Sequence, residues 1–346
     1  MNPAWSEFLS QRGARIDNGA VVDFKNDNTT NYQLDEIGIL CDLSFESWLC
    51  AAGQDAESFL QGQLTNDIAS LDARHSQLQG FCSPKGRLIC VLRVVRHRQG
   101  FLLQLPAELS TGVLNRLKRY VLRAKVNLEI ADHLIGIGIA GPDSVDLLSQ
   151  GIGPVPDAPG GYREIGELGI YRLASRIPRF QVVGPVSDIC PLWETLSGPL
   201  NPVGPVPWAL LDIQAGIPQI YPETSELFVP QMINLDLIDG VSFKKGCYPG
   251  QEIVARMHYL GKLKQRMIRA QVEIDTVPRP GDRIFSPDHG EQSAGTVLNA
   301  QPLGSNQYDL LVVVQLSGYR NGKLFFKNLN GPALSALPLP YDIPVD

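Results

Sequence analysis

A chain of 346 residues is long enough for two or three domains and a sizeable apolar core. Its 30 Lys and Arg against 36 Asp and Glu leave a net charge of −6, which argues against a protein that coats nucleic acid non-specifically and leaves room for a local basic groove. The longest apolar runs, Leu88–Leu92 and Leu310–Val314, are strand-sized and far too short to span a bilayer.

Met1–Glu7 has neither the basic nor the apolar segment of a secretory signal, so a cytoplasmic protein is expected. Cys41, Cys50, Cys82, Cys90, Cys190 and Cys247 show no C-x-x-C pair and no histidine at zinc spacing. That pattern predicts reduced thiols, no disulfide framework and no metal site. A monomer with no membrane partner is expected.

In chain order, residues 1–36 are polar and contain Asn26-Asp27-Asn28-Thr29-Thr30-Asn31, which predicts an N-terminal arm, loose apart from a short helix near Trp5–Gln11. A helix is expected from Gly53-Gln54-Asp55 to Gln63, with Asp55 near its N-cap and Phe59 and Leu60 facing inward. Leu88–Val95 reads as a buried strand, and Phe101–Leu105 as its partner across Arg98-Gln99-Gly100.

A second helix is expected after Ser110, with Val113, Leu114, Leu117 and Val121 on one face. Its other face carries Arg116, Lys118, Arg119, Arg123 and, just beyond, Lys125; such a face is most often solvated, and otherwise meets an anion, either the glutamate tail of a ligand or an RNA backbone. Gly141-Pro142-Asp143 opens another helix, while Pro154–Gly161 and Gly198–Pro207 read as turn-rich connections. From Arg266 the apolar period becomes two: Ile268, Ala270, Val272 and Ile274 alternate with Arg269, Gln271 and Glu273. Further short strands follow at Ile284-Phe285, Gly295–Leu298, Leu310–Leu316 and Lys323–Lys327, so a small β-barrel or sandwich is expected over 266–340.

Most of the chemistry lies in Lys244-Lys245-Gly246-Cys247-Tyr248-Pro249-Gly250-Gln251-Glu252. Gly246 and Gly250 permit backbone angles or approaches that a Cβ forbids, and Pro249 suits the first turn of a helix running from Gln251 to Met257. A thiol beside two ammonium groups and a helix N-terminus is stabilised as thiolate, unlike an inert cysteine packed in a turn.

The same residues, with Phe243 before them and Val254-Ala255-Arg256 after, resemble the signature of the YgfZ family. These are folate-binding proteins that support iron–sulfur enzymes and tRNA modification, and they are relatives of the glycine-cleavage T-protein, an aminomethyltransferase. Phe59-Leu60-Gln61-Gly62-Gln63-Leu64-Thr65-Asn66-Asp67, Ser83-Pro84-Lys85-Gly86-Arg87, and Trp208-Ala209-Leu210 running into Ala215-Gly216-Ile217-Pro218 extend the likeness, which spans roughly Leu43 to Arg266. The resemblance implies an α+β fold: a T-protein-like folate-binding core of two interleaved subdomains over 37–262, plus the C-terminal barrel. It implies non-covalent tetrahydrofolate or a derivative as cofactor, iron–sulfur enzymes or assembly proteins as partners, and tRNA as an indirect one. By the same likeness Cys247 is the reactive residue. Trp208, Gln214, Lys85, Arg87, Lys245, Tyr248, Gln251, Glu252 and Arg256 are the expected folate contacts, with core packing the alternative for Trp208 and a plain hairpin corner the alternative for Lys85-Gly86-Arg87.

Two departures qualify this. Cys90 and Val91 stand where T-proteins carry an acid pair, and neither side chain serves as a carboxylate at neutral pH, which weighs against a conventional aminomethyltransferase. Gln214 replaces the glutamate of folate-binding relatives and offers one acceptor oxygen for a pterin edge that donates twice, so weaker or reoriented folate binding is expected. An aminomethyltransferase or demethylase, and a tRNA-binding module using the 116–125 cations, remain the alternatives. His258 is the histidine nearest Cys247 in sequence and a weak candidate base.

Overall fold

The computed structural model describes residues 1–25, 36–98, 100–261 and 263–344; the Asn26–Asn31 part of the expected arm and Gln99 fall outside them. The chain forms two compact units, Met1–Phe59 with Ser70–Gln77 and Arg93–Ala209, and Leu60–Ala69 with Leu78–Leu92 and Leu210–Asp346.

In the first unit the Asn2 side chain caps the helix Pro3–Ser10, accepting from the backbone N–H of Ala4 at 3.0 Å and Trp5 at 3.3 Å. Trp5 and Leu9, four residues apart on one face, are wholly buried. The Trp5 indole N–H donates to the buried Asp42 at 2.7 Å. A hairpin follows, Ala14–Asp17 with Ala20–Phe24, turning on Asn18 and Gly19 at positive φ and burying Val21 and Phe24. The expected loose arm is therefore a docked helix and hairpin through residue 24. Its polar composition belongs to the outward face and hides a short, correctly spaced apolar stripe.

Six strands form the main sheet of this unit, in the order Tyr162–Ile165, Leu168–Arg172, Arg179–Pro185, Leu134–Ala140, Ile39–Asp42, Asn201–Val203. Only the last pairing is parallel. Strand alternation divides its residues between two faces. Ile135, Ile137, Ile139, Phe180 and Val182 share an apolar core with Leu148, Ile189, Leu192, Trp193 and Leu196 from the helices Ser144–Gly151 and Val186–Leu196. Gly136, Gly138, Tyr171, Arg179 and Gln181 are on the opposite face.

The strand Glu46–Ala52 pairs with Gly100–Pro106 on one side and Asn127–Ile130 on the other. The strand Leu88–His97 joins Gly100–Pro106 through Arg93–His97, across the expected turn.

Three boundaries differ from expectation. The helix expected after Ser110 spans Ala107–Lys118, starting where Pro106 ends the preceding strand and stopping before a turn in which Leu122 has φ +44°. Arg123 and Lys125 thus lie beyond the helix. The helix expected from Gly53 to Gln63 is Ala56–Gln61, with Phe59 and Leu60 buried as expected. The Gly198–Pro207 connection contains the edge strand Asn201–Val203 and the start of the helix Pro205–Gln214, whose first turn tolerates Pro205 and Pro207.

In the second unit the C-terminal segment is a curled six-stranded antiparallel sheet, half of a barrel, in the order Phe325–Phe326, Arg283–Phe285, Ser293–Gly304, Gln307–Gln315, Gln265–Glu273, Ser335–Leu337. Ile268, Ala270 and Val272 enter its core beside Ile284, Val297, Leu310, Val312, Val314 and Phe326, as the period-two pattern requires. Two edge strands of two and three residues leave little unpaired backbone.

Candidate functional site

The loop 239–250 precedes the helix Gln251–Tyr259 and carries Cys247. It is pinned by Leu64-Thr65-Asn66. Thr65 Oγ1 donates to the Gly240 carbonyl at 2.7 Å and accepts from the Gly80 N–H at 2.6 Å, while its carbonyl takes the Ser242 N–H at 3.0 Å. The Asn66 amide donates to the carbonyls of Asp239 and Leu78, and its backbone N–H donates to Gln79 Oε1 at 2.7 Å. Lys245 Nζ closes the clasp on the carbonyls of Leu64 at 2.6 Å and Asn66 at 2.8 Å. Burial pulls this ammonium down to about 8, against an opposing pull from Asp67.

Lys245 therefore holds the loop that presents the thiol, and its charge is engaged by backbone carbonyls. That role was hidden because its partners lie 181 and 179 residues away.

The helix start is set by two glycines. Gly250, the N-cap, has φ +81°, and a Cβ there would meet Gly86 Cα and N at 2.5 Å and the Ser83 carbonyl at 2.6 Å. Gly86, at φ +67°, also comes close to Ile253: a Cβ would stand 2.9 Å from Ile253 Cβ. The turn Ser83–Arg87 is thereby seated on the first turn of the helix, joining two sequence motifs. Because Gly250 takes the cap position, Pro249 stands in the turn before the helix instead of within its first turn. Gly246 has an ordinary φ, and a Cβ there would meet nothing within 4 Å, so its expected steric role is absent. Beneath the helix, Gln231 Nε2 donates to the Val254 carbonyl at 2.7 Å, and the Gln231 carbonyl accepts from Arg266, itself paired with Asp236 at 2.6 Å.

Cys247 is exposed on this loop; Cys50 and Cys190 are half-buried, and Cys41, Cys82 and Cys90 are buried. Burial pushes the Cys82 and Tyr248 groups up. Tyr248 lies under Lys245, whose Nζ is 5.4 Å from the ring centroid. Lys85, Glu252 and Arg256 face solvent and Gln251 is half-buried. Arg87 donates to the Leu227 carbonyl, which makes it a strut of its own turn. His258 is exposed and stacks on Phe243, with ring centroids 3.7 Å apart.

Trp208 belongs to the first unit and is only 2% exposed. Its ring lies over Gly138, where a Cβ would meet it at 2.5 Å, and under the Arg179 guanidinium, 4.0 Å from the centroid. Gly138 and Gln181 are cross-strand partners, and so are Gln181 and Tyr171, so these side chains share one face of the sheet with Trp208. Trp48 abuts Gly136 on the same face, and Gln104 is the cross-strand partner of Trp48. This unit therefore has a polar and aromatic interior on the side of the sheet away from its apolar core. Neither Oε1 nor Nε2 of Gln181, a residue 1% exposed, has a hydrogen-bond partner among the described residues, and the same holds for Gln104 Oε1. Sequence reading missed this cluster, whose one signal is polar residues at positions that alternate with the Ile137, Ile139 and Val182 stripe. Gln214 ends the helix that carries Trp208 and is half-buried.

The fold is that of the glycine-cleavage aminomethyltransferases. The solved aminomethyltransferase T of the glycine cleavage system from Bartonella henselae superposes with a TM-score of 0.78 over 97% of this chain and 96% of its own, at 16% identity. No family model matches the chain. A tRNA-modifying protein YgfZ from Colwellia psychrerythraea is 32% identical over 277 residues, covering 78% of this chain and 85% of the relative. The tRNA-modifying protein YgfZ of Cronobacter sakazakii is likewise 32% identical, over 306 residues, 87% of this chain and 93% of its own. The chain belongs to the YgfZ family. Among the described residues no helix is long and apolar enough to cross a membrane, and no group of three or more His, Cys, Asp or Glu is placed to hold a metal ion.

Proposed function

We propose that this chain is a cytoplasmic, monomeric, folate-binding accessory protein that supports iron–sulfur enzymes, including those that methylthiolate tRNA. One observation carries the reading: of six cysteines, the exposed one sits on a loop that a clasp of Thr65, Asn66 and Lys245 holds in place. A thiol kept accessible at such structural cost suits exchange with a partner's sulfur or metal chemistry better than packing. The relatives' name supplies the tRNA context.

The polar interior of the first unit supports the folate part. A pterin edge needs paired donors and acceptors, and Gln181 offers both from a buried position that leaves them unmatched. Tetrahydrofolate, when bound, supplies a carrier for a one-carbon unit. Gln181 and Gln104 would orient its flat ring, while Gln214 and Lys85 are contacts that the family likeness alone implies. Trp208, packed between Arg179 and Gly138 beside Gln181, would report on a ring held there. The conventional aminomethyltransferase reading fares worse: Cys90 and Val91 are buried, and the Cys90 thiol donates to the Val91 carbonyl at 3.0 Å. Formation of methylene-tetrahydrofolate from an aminomethyl donor would revive it.

Titration with tetrahydrofolate followed by tryptophan fluorescence is expected to show micromolar or weaker binding, about 8 kcal/mol or less. Gln181→Leu removes an unpaired buried amide and is expected to leave the fold unchanged or up to ~2 kcal/mol more stable in urea, while folate affinity falls at least tenfold. Unchanged affinity would remove Gln181 from the site. Gln214→Glu, which restores a second acceptor, is expected to tighten binding; weaker binding would refute this account of the pterin edge.

A further inference from the structure

The residues 116–125 hold five cations and no acid in a chain whose net charge is −6. Arg116 and Lys118 end the helix Ala107–Lys118, where positive charge complements the helix dipole. That accounts for two of the five. Arg119 is the C-cap, and Arg123 and Lys125 stand in the turn beyond it; all five are exposed. Between them Tyr120 is 42% exposed and Leu122 88% exposed.

The turn is held rigidly. Leu122 adopts φ +44°, a left-handed conformation that costs a branched side chain energy and persists only where its surroundings enforce it. The Ala124 N–H closes on the Val121 carbonyl at 2.7 Å. Asp55 grips the far end: its carboxylate accepts the Lys125 N–H at 2.7 Å, and its own N–H donates to the Lys125 carbonyl at 3.2 Å. Gly53, at φ +127°, lets that corner close, since a Cβ there would meet the Lys125 carbonyl oxygen at 2.3 Å. An exposed apolar side chain, an exposed aromatic ring and a block of cations are thus fixed in one short segment, where Lys125 Nζ also donates to Gln54 Oε1 at 3.3 Å.

We infer that the 116–125 turn is a docking surface for RNA, with Arg119, Arg123 and Lys125 on phosphates and Tyr120 stacking on an unpaired base. The combination favours RNA over an acidic protein, because cations alone serve any polyanion whereas an aromatic ring set among them adds a platform for a base. The inference rests on the tRNA context of the proposed function and adds direct contact, where that reading needs only an indirect one.

The test is fluorescence anisotropy of an end-labelled, unmodified tRNA transcript with the full chain at several salt concentrations. Binding is expected to weaken steeply with salt, as phosphate neutralisation requires. The variant Arg119→Gln/Arg123→Gln/Lys125→Gln is expected to lose about tenfold or more in affinity and to flatten the salt slope by roughly two to three units. Tyr120→Ala is expected to lose about fivefold with the slope unchanged. Circular dichroism and folate titration, which neither variant should alter, verify that both are folded. A triple variant that binds like wild type overturns the inference. So does wild-type affinity in Tyr120→Ala together with displacement of the RNA by poly-aspartate at matched charge, because the surface would then be a site for acidic protein. Cellular rescue separates the two readings: a chain that restores tRNA methylthiolation but binds no transcript refutes this surface alone, whereas one that binds the transcript through this turn but restores nothing refutes the proposed function alone.

Discussion

Gly250→Ala is expected to destabilise the chain by about 3–5 kcal/mol, a large part of the stability of an ordinary fold. Two costs add. An L side chain at φ +81° is strained, and its Cβ would stand 2.5 Å from the backbone of Gly86, which cannot swing aside as a long side chain would. Either the turn Ser83–Arg87 or the first turn of the helix Gln251–Tyr259 must then shift, and the Cys247 loop with it. Gly246→Ala is the control four residues upstream, with an ordinary φ and no atom within 4 Å of the added Cβ. It is expected to change stability by about 0.5 kcal/mol or less. Urea denaturation of the three proteins decides the matter. Equal midpoints for the two alanine variants would mean that the glycine pair does not seat the turn on the helix.

Cys247→Ser is expected to leave the urea midpoint and folate affinity unchanged while abolishing preferential alkylation. The hydroxyl keeps nearly the same shape, and the wild-type thiol is exposed, so little packing is lost. In the wild type, a mild thiol reagent should modify Cys247 first. Cys50 and Cys190 are half-buried with thiol pKa values raised chiefly by burial, and the Cys82 thiol is raised further in the core. Peptide mapping after limiting alkylation reads the order directly. Modification of Cys50 or Cys190 ahead of Cys247 would show that exposure does not translate into reactivity on this loop.

Periodicity and local signatures carried much of the fold. The alternation from Ile268 to Val272 names residues that the strand turns into the core, although Arg266 and Met267 are buried as well and Ile274 lies past its end. The Lys244–Glu252 signature locates the exposed thiol and the helix that follows it. What escaped depends on distant partners. Thr65 and Asn66 sit in a recognisable motif, yet their work is to hold Gly240 and Asp239, 175 and 173 residues away. Gly246 and Gly250 look alike in sequence, and the positive φ of Gly250 and the approach of Gly86 distinguish them. The helix Ala107–Lys118 begins without a side-chain cap, so its start carries no Ser, Thr, Asp or Asn signal, and the turn beyond it hides its end. The polar interior around Gln181 was illegible because a buried amide among apolar alternates reads as an ordinary outward position until a second sheet residue, Trp48, is seen against the same face.

The most direct test of the account is nucleoside mass spectrometry of tRNA from a bacterial strain that lacks its own member of this family, complemented with the wild-type chain or with Cys247→Ser. The account predicts that methylthiolated adenosines are depleted in the deletion strain, return with the wild-type chain, and stay depleted with the serine variant expressed to the same level. Full restoration by Cys247→Ser would contradict it and reduce the clasped thiol to a packing residue.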